Sequence, residues 1–181
     1  MAITINGSGI TSSEIADGTI TTDDIASGVT GKVLQVVSTT KTDTLSTTST
    51  TATNMTGMSV TITPASTSSK FLITSSLYFG QSSGYNRTHV TITGGNSSAY
   101  IGDANSTLRR VSSCATNRVN DGYGMNAHTL SYLDSPATTS AITYQLQWQT
   151  NGSTSYLNRP SSIDVNGGST ASTITVMEIG A

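Results

Sequence analysis

The side chains best suited to nucleophilic or metal chemistry in this sequence are one cysteine, Cys114, and two histidines, His89 and His128. A thiolate beside an imidazole base is the arrangement of a nucleophilic dyad, and the same three groups are zinc ligands. The two histidines fall in separate strand patterns, outside any His-x-x-x-His spacing, and no local motif joins either one to the cysteine. We therefore expect ordinary packing or surface positions for all three, with no catalytic site, no metal site and no cofactor.

Carboxylate pairs are a second source of chemistry, because a glycosidase needs two carboxyl groups about 5 to 9 Å apart. Five acidic residues of the longer, strand-rich part are thinly spread and share no close spacing: Asp103, Asp121, Asp134, Asp164 and Glu178. An enzyme acting on surface glycans is therefore the least favoured function, and the sequence indicates a protein that is not an enzyme.

Residues 80–126 differ in composition from the rest of the chain, because tyrosines and arginines occur there among Gly, Ser and Asn. They are Tyr85, Tyr100, Tyr123, Arg87, Arg109, Arg110 and Arg118. These residue types are typical of recognition loops, because tyrosine offers rigid amphipathic area and the small polar residues offer adaptable hydrogen bonds. We interpret Tyr85, Arg87, Arg118 and Tyr123 as candidates for binding a receptor, with a host-surface glycan as the ligand. The alternative is a set of sheet-edge loops whose tyrosines cover the core.

The composition indicates a β-rich fold. Hydrophobic residues make up 34% and charged residues 10% of the chain, against about 25% charged in a typical domain. Threonine, which is abundant, suits a pleated surface. The net charge of −2 argues against a nucleic-acid partner, which requires a basic patch. No apolar run reaches the roughly 20 residues of a membrane span, and the start has no signal-peptide pattern.

From Lys32 onward, hydrophobic residues recur with a period of two, which is the period of β-strands. The clearest runs are Phe71–Phe79 and Ile142–Trp148; weaker ones lie at Val90–Ile92, Ala99–Ile101 and Leu108–Val111, and residues 39–56 fit either an edge strand or a long loop. Eight to ten strands with turns between them are expected over residues 32–181. We predict an all-β head domain, an antiparallel β-sandwich of jelly-roll type.

Residues 1–31 contain a ten-residue repeat, in which Ile10 and Ile15 recur as Ile20 and Ile25. Each copy carries too few apolar side chains to offset the entropy of ordering its backbone. Such a unit is expected to bury its isoleucines against another copy or another chain. We predict an N-terminal anchor that docks through Ile10, Ile15, Ile20, Ile25, Asp23 and Asp24. A flexible tail is the alternative.

Several motifs together resemble short fibre or appendage proteins of tailed bacteriophages, marine ones especially. They are the opening Met1–Gly9, the repeats of residues 10–28, Gly31–Val37, Thr63–Lys70, Leu133–Thr139 and the ending Ile174–Ile179. The resemblance implies a homotrimer, with an N-terminal anchor in the virion and a C-terminal β-sandwich head that faces the host.

On this basis we expect a virion structural protein that is made in the host cytoplasm and exposed on the particle surface. Its partners would be its own copies, other virion proteins contacted by the N-terminal segment, and a glycan of the host surface. The rival expectation is a capsid decoration protein that cements or covers the head shell and has no receptor role. Placement on the tail or on the capsid stays open at this point.

Overall fold

The computed structural model describes residues 33–82, 86–117 and 122–180, which belong to one compact unit, Val33–Ala181. Ten β-strands lie in these ranges: β1 Val33–Lys41, β2 Leu45–Thr47, β3 Thr53–Ile62, β4 Lys70–Gln81, β5 Asn86–Thr93, β6 Ser113–Asn117, β7 Met125–Asp134, β8 Ile142–Thr150, β9 Ser155–Leu157 and β10 Ser172–Ile179. The all-β class is therefore confirmed. The predicted anchor, with Ile10, Ile15, Ile20, Ile25, Asp23 and Asp24, lies outside the described residues.

The first sheet is built around β4, which has β7 along one edge. Along the other edge, β10 pairs with the first part of β4 and β9 pairs with its last residues. The strands β9 and β10 thus follow one line, interrupted by the loop of residues 158–171. Next to them, β1 pairs with β10 and β2 pairs with β9. All of these pairings are antiparallel.

The second sheet has the order β3–β8–β5–β6, again antiparallel. The two sheets share one hydrophobic core, to which the central strands β4 and β8 contribute alternate residues. These inward-facing side chains are Phe71, Ile73, Leu77 and Phe79 from β4, and Ile142, Tyr144, Leu146 and Trp148 from β8. The inward faces predicted for both strands are therefore confirmed.

The prediction of short strands at Ala99–Ile101 and Leu108–Val111 is wrong. Residues 97–100 form a single turn of 3-10 helix, because Gly94 and Gly95 adopt positive φ angles of 107° and 53° and turn the chain away from β5. The run Leu108–Val111 has no strand; the Leu108 amide donates to the carbonyl of Asn105 in a turn. Asn, Ser and Gly favour turns in both places, and an alternation of only three or four residues does not outweigh them.

A buried carboxylate, Glu178, closes one end of the core with none of its surface exposed. Its oxygens accept hydrogen bonds from the Gln35 amide group and from the backbone N–H of Ala65. Burial by itself would raise the pKa of Glu178, but the nearby Ser69 hydroxyl and the hydrogen bonds from Gln35 and Ala65 outweigh it and hold the pKa below the ordinary 4.5. The ionised form is therefore the one that the fold stabilises.

The depressed pKa predicts an acid-sensitive fold. Stability supplied by Glu178 is complete above the unfolded pKa of 4.5 and is lost as the pH falls through the lower folded value. Glu178→Gln should lower the free energy of unfolding at pH 7 by about 1 to 3 kcal/mol. The variant places an NH₂ donor where a carboxylate oxygen accepts from the Gln35 amide group or the Ala65 N–H. Denaturant unfolding at pH 7 and at pH 3 measures this, and the deficit should shrink at pH 3. An equal deficit at both values would contradict it, and the exposed Asp103→Asn is the control.

Candidate functional site

The outer face of the second sheet brings together side chains that are far apart in the sequence. His89 on β5 stands directly opposite Cys114 on β6 and Gln149 on β8. Arg109, which precedes β6, donates from Nη1 to Oε1 of Gln149 at 2.8 Å and to the carbonyl of Thr50. We call Arg87, His89, Arg109, Cys114 and Gln149 the arginine–histidine cluster. The juxtaposition of Cys114 and His89 arises from strand register, which the sequence spacing did not indicate.

The charged side chains of this cluster are the guanidinium groups of Arg87 and Arg109. Burial, followed by the nearby guanidinium groups of Arg109 and Arg87, lowers the pKa of His89. Cys114 is exposed, and its Sγ lies 3.9 Å from the carbonyl oxygen of Ala115. The cluster therefore offers guanidinium and amide donors to a ligand.

Two of the predicted receptor-binding residues lie in the described ranges. Arg87 is exposed on β5, and its backbone N–H donates to Oδ1 of Asn151. Tyr123 is 53% exposed and follows Gly122, whose carbonyl accepts from the amide of Ser162 in the loop of residues 158–171. Tyr85 and Arg118 lie outside the described residues.

Tyr100 and Arg110 are engaged within the fold. The Tyr100 ring packs on the Tyr132 ring with centroids 3.4 Å apart, and its hydroxyl donates to the carbonyl of Leu133. Nε of Arg110 donates to the carbonyl of Gly102 at 2.8 Å. For Tyr100, the alternative interpretation of a tyrosine that covers the core is the one that the contacts support.

His128 packs against Phe79 with ring centroids 6.0 Å apart, and burial lowers its pKa. Within the ranges that the structure describes, no three His, Cys, Asp or Glu side chains gather closely enough to hold a metal ion. In the same ranges, no helix has the length and hydropathy needed to cross a membrane.

The outer face of the first sheet carries an apolar row that sequence reasoning missed. Residues directly opposite one another on four strands form it: Val36 on β1, Met177 on β10, Leu72 on β4 and Leu133 on β7. Val36 is 55% and Leu133 is 42% exposed. The signal in the sequence is the start of β1, where Val33, Leu34 and Val36 make both faces of the strand apolar.

Two rows of hydroxyl side chains lie beside this apolar row on the same face. Their members are Ser38, Thr175, Thr74 and Ser131 in the nearer row, and Thr40, Thr173, Ser76 and Thr129 in the farther one. Within the nearer row, the hydroxyls of Ser38 and Thr175 are hydrogen-bonded at 2.8 Å. The three rows together make a surface without an ionisable side chain, which we call the uncharged face.

Comparison with protein-family models and with curated proteins finds no match for this chain. The function of this chain is therefore inferred from the motifs of its sequence and from the two surfaces described above.

Proposed function

We propose that this chain is a virion structural protein of a tailed bacteriophage, a trimeric fibre or spike. Residues 1–31 are its anchor in the particle, and residues 32–181 are the exposed head that contacts the host surface. The motif resemblance supports the class of protein, and the all-β, charge-poor head agrees with it. The observation that carries the proposal is the uncharged face of the first sheet, because it offers each copy a surface for the others.

The strand order supports a jelly-roll sandwich for the head. With β1 and β2 taken as one line and β9 and β10 as another, the first sheet has the order β1–β10–β4–β7 and the second has β3–β8–β5–β6. Along the chain, each connection then passes from one sheet to the other, except the one from β5 to β6. Two interleaved Greek keys of this kind define a jelly roll.

The uncharged face suits association between identical copies. Two copies of a charged surface repel each other wherever like charges meet, whereas hydroxyl and apolar rows meet without that cost. The apolar row is removed from water in the complex, which supplies the driving force. Four strands spaced about 4.8 Å apart give the row a length of about 14 Å. A stable interface buries about 800 Å² per partner, so the two hydroxyl rows beside the apolar row are expected to be buried together with it.

The second sheet is then left free for attachment. Its arginine–histidine cluster presents guanidinium groups that bind planar and charged groups well. A head that associates through the uncharged face keeps the second sheet, and the end of the first sheet that carries the loop of residues 158–171, available to contact the host.

The anchor is tested by a double variant in assembled particles. Ile15→Asp with Ile25→Asp should remove the protein from the virion, because charged side chains replace the apolar contacts of the docking segment. The head should stay soluble and folded, and its copy number on particles is counted by electron microscopy with an antibody against the head. The matched control is Ser12→Asp with Thr22→Asp, which adds the same charge at polar positions of the repeat.

If the isoleucine variant stays on particles at native copy number, the anchor proposal is wrong. The head itself would then be the docking surface, and a capsid-covering role would be favoured. Localisation of the native protein to the tail or to the head shell distinguishes the fibre from the decoration protein directly.

A further inference from the structure

A third surface is built by the loop of residues 158–171, which leaves the first sheet after β9 and returns at β10. Its base is held by Asn158, which is fully buried and has a φ of 64°. The Asn158 side chain donates to the carbonyls of Lys41 and Asp43 and accepts from the hydroxyl of Ser172 at 2.6 Å. Because these hydrogen bonds are buried, they hold the start of the loop at Asn158 and tie it to Ser172, where β10 begins.

The loop lies flat against the outer face of the sheet at Gly80 and Tyr156. A Cβ at Gly80 would lie 2.2 Å from the carbonyl oxygen of Arg159, so only glycine admits this approach. The Arg159 guanidinium stands 3.9 Å above the centre of the Tyr156 ring, and its Nη1 donates to the carbonyls of Pro160 and Ser161. Arg159 is thereby held in one orientation before any ligand arrives.

The loop and Thr44 together line a groove of about 350 Å³, within the range of small-molecule sites. Its lining combines the hydroxyl-bearing residues Thr44 and Ser169, the charged residues Arg159 and Asp164, and the apolar residues Pro160 and Ile163. The Asp164 carboxylate is oriented by the Asn166 amide, which donates to Oδ1 at 3.0 Å. The groove thus holds fixed donors, fixed acceptors and an apolar wall together.

We infer that this groove binds a neutral saccharide unit. A sugar hydroxyl both donates and accepts, so one ligand can satisfy the Asp164 acceptor and the Arg159 donor at once. The C–H face of the ring suits the apolar wall of Pro160 and Ile163. The opposite charges of Arg159 and Asp164 cancel in the groove, so neither an anionic nor a cationic sugar gains a net attraction over a neutral one.

Exposed apolar and aromatic side chains lie close to the groove. Ile163 is 77% and Val165 is 98% exposed, and the half-exposed Tyr123 lies beside the loop through the contact of Gly122 with Ser162. Apolar side chains exposed on a protein surface in this way are available for contact with a ligand. A saccharide groove at this loop would be the site through which the head attaches to the host, and it rests on the attachment role proposed above.

The test is ligand-observed NMR on the full chain with glucose, galactose, mannose and N-acetylglucosamine, compared with glucuronate and glucosamine. At least one neutral sugar should bind, and it should bind more tightly than the charged sugars. Asp164→Ala should weaken that sugar about tenfold or more, because it removes a charged acceptor. Thr44→Ala, which approaches the groove from a different segment, should weaken it by a smaller factor, and the exposed Asp103→Ala should have no effect.

Absence of binding by every neutral sugar overturns the inference, as does equal binding of the charged ones. Binding that survives both Asp164→Ala and Thr44→Ala shows that the sugar sits elsewhere. The anchor and the trimer are independent of this result, because particle incorporation and sedimentation of Asp164→Ala should match the native chain. A failure of those two measurements in the native chain would overturn the proposed function instead.

Discussion

A chain in which Leu133 and Met177 are both replaced by Glu is expected to sediment as a monomer of 18.7 kDa, whereas the native chain is expected to sediment as the proposed trimer. Both side chains point outward in the apolar row, Met177 on β10 and Leu133 on β7, with Leu72 of β4 between them. Because neither contributes to the buried core, the replacement should act on association and leave the monomer folded.

The expected effect is large because each new carboxylate would be taken out of water without a partner. The effective cost is several kcal/mol per buried charge, and every 1.4 kcal/mol is about tenfold in the association constant. Two such charges in each copy exceed what the apolar row alone can supply. Analytical ultracentrifugation at micromolar concentration measures the change, and circular dichroism verifies that the strands persist.

The matched control places the same two charges on the other sheet. Thr61→Glu with Thr91→Glu lies on the outer face of β3 and β5, two strands that are separated by β8 in the same way. This control should remain trimeric. A monomeric native chain, or a trimer that survives the Leu133 and Met177 replacements, would refute the uncharged face as the contact surface.

The strands were predictable because one physical rule governs them. Side chains alternate across a pleated strand, so the eight inward residues of β4 and β8 could be assigned to the core without a structure. The short runs near Ala99 and Leu108 were not predictable in the same way. Their alternation is brief, and the glycine and asparagine residues around them decide the local backbone.

The sites were less predictable, because they depend on which strands are neighbours. Cys114 faces His89 only through the pairing of β5 with β6, and sequence spacing carries no information about that register. The apolar row likewise needs the register of four strands at once. Each of its members, seen singly, is an ordinary exposed hydrophobic residue.

Asp134 shows the same limit at a single residue. Asp134 is the last residue of β7, at the start of the loop to β8, and only 1% of its side chain is exposed. Its carboxylate accepts from the Tyr144 hydroxyl at 2.6 Å and from the amides of Asn96 and Ser135. An acidic residue at a strand end is buried here because the Gly94–Gly95 turn folds over it, a tertiary contact that composition does not reveal.

Replacement of Gly80 by Ala is expected to displace the loop of residues 158–171 and abolish saccharide binding. The new Cβ would stand 2.2 Å from the Arg159 carbonyl oxygen and 2.6 Å from Cα of Pro160. Both are backbone atoms, so no side-chain rotation can relieve the clash. Overpacking of this kind costs about 1 to 3 kcal/mol, which the loop can avoid by lifting from the sheet and taking Arg159 off the Tyr156 ring.

Limited proteolysis and the sugar titration measure this result together. The variant should be cleaved within residues 159–171 under conditions where the native loop resists, and its affinity for the neutral sugar should fall by at least the factor seen for Asp164→Ala. Gly102→Ala is the matched control, since its nearest neighbour would be 4.0 Å from the added Cβ. Cleavage and affinity that match the native protein would mean that Gly80 does not hold the loop on the sheet. If instead the loop is released while sugar binding persists, the groove that it lines is not where the saccharide sits.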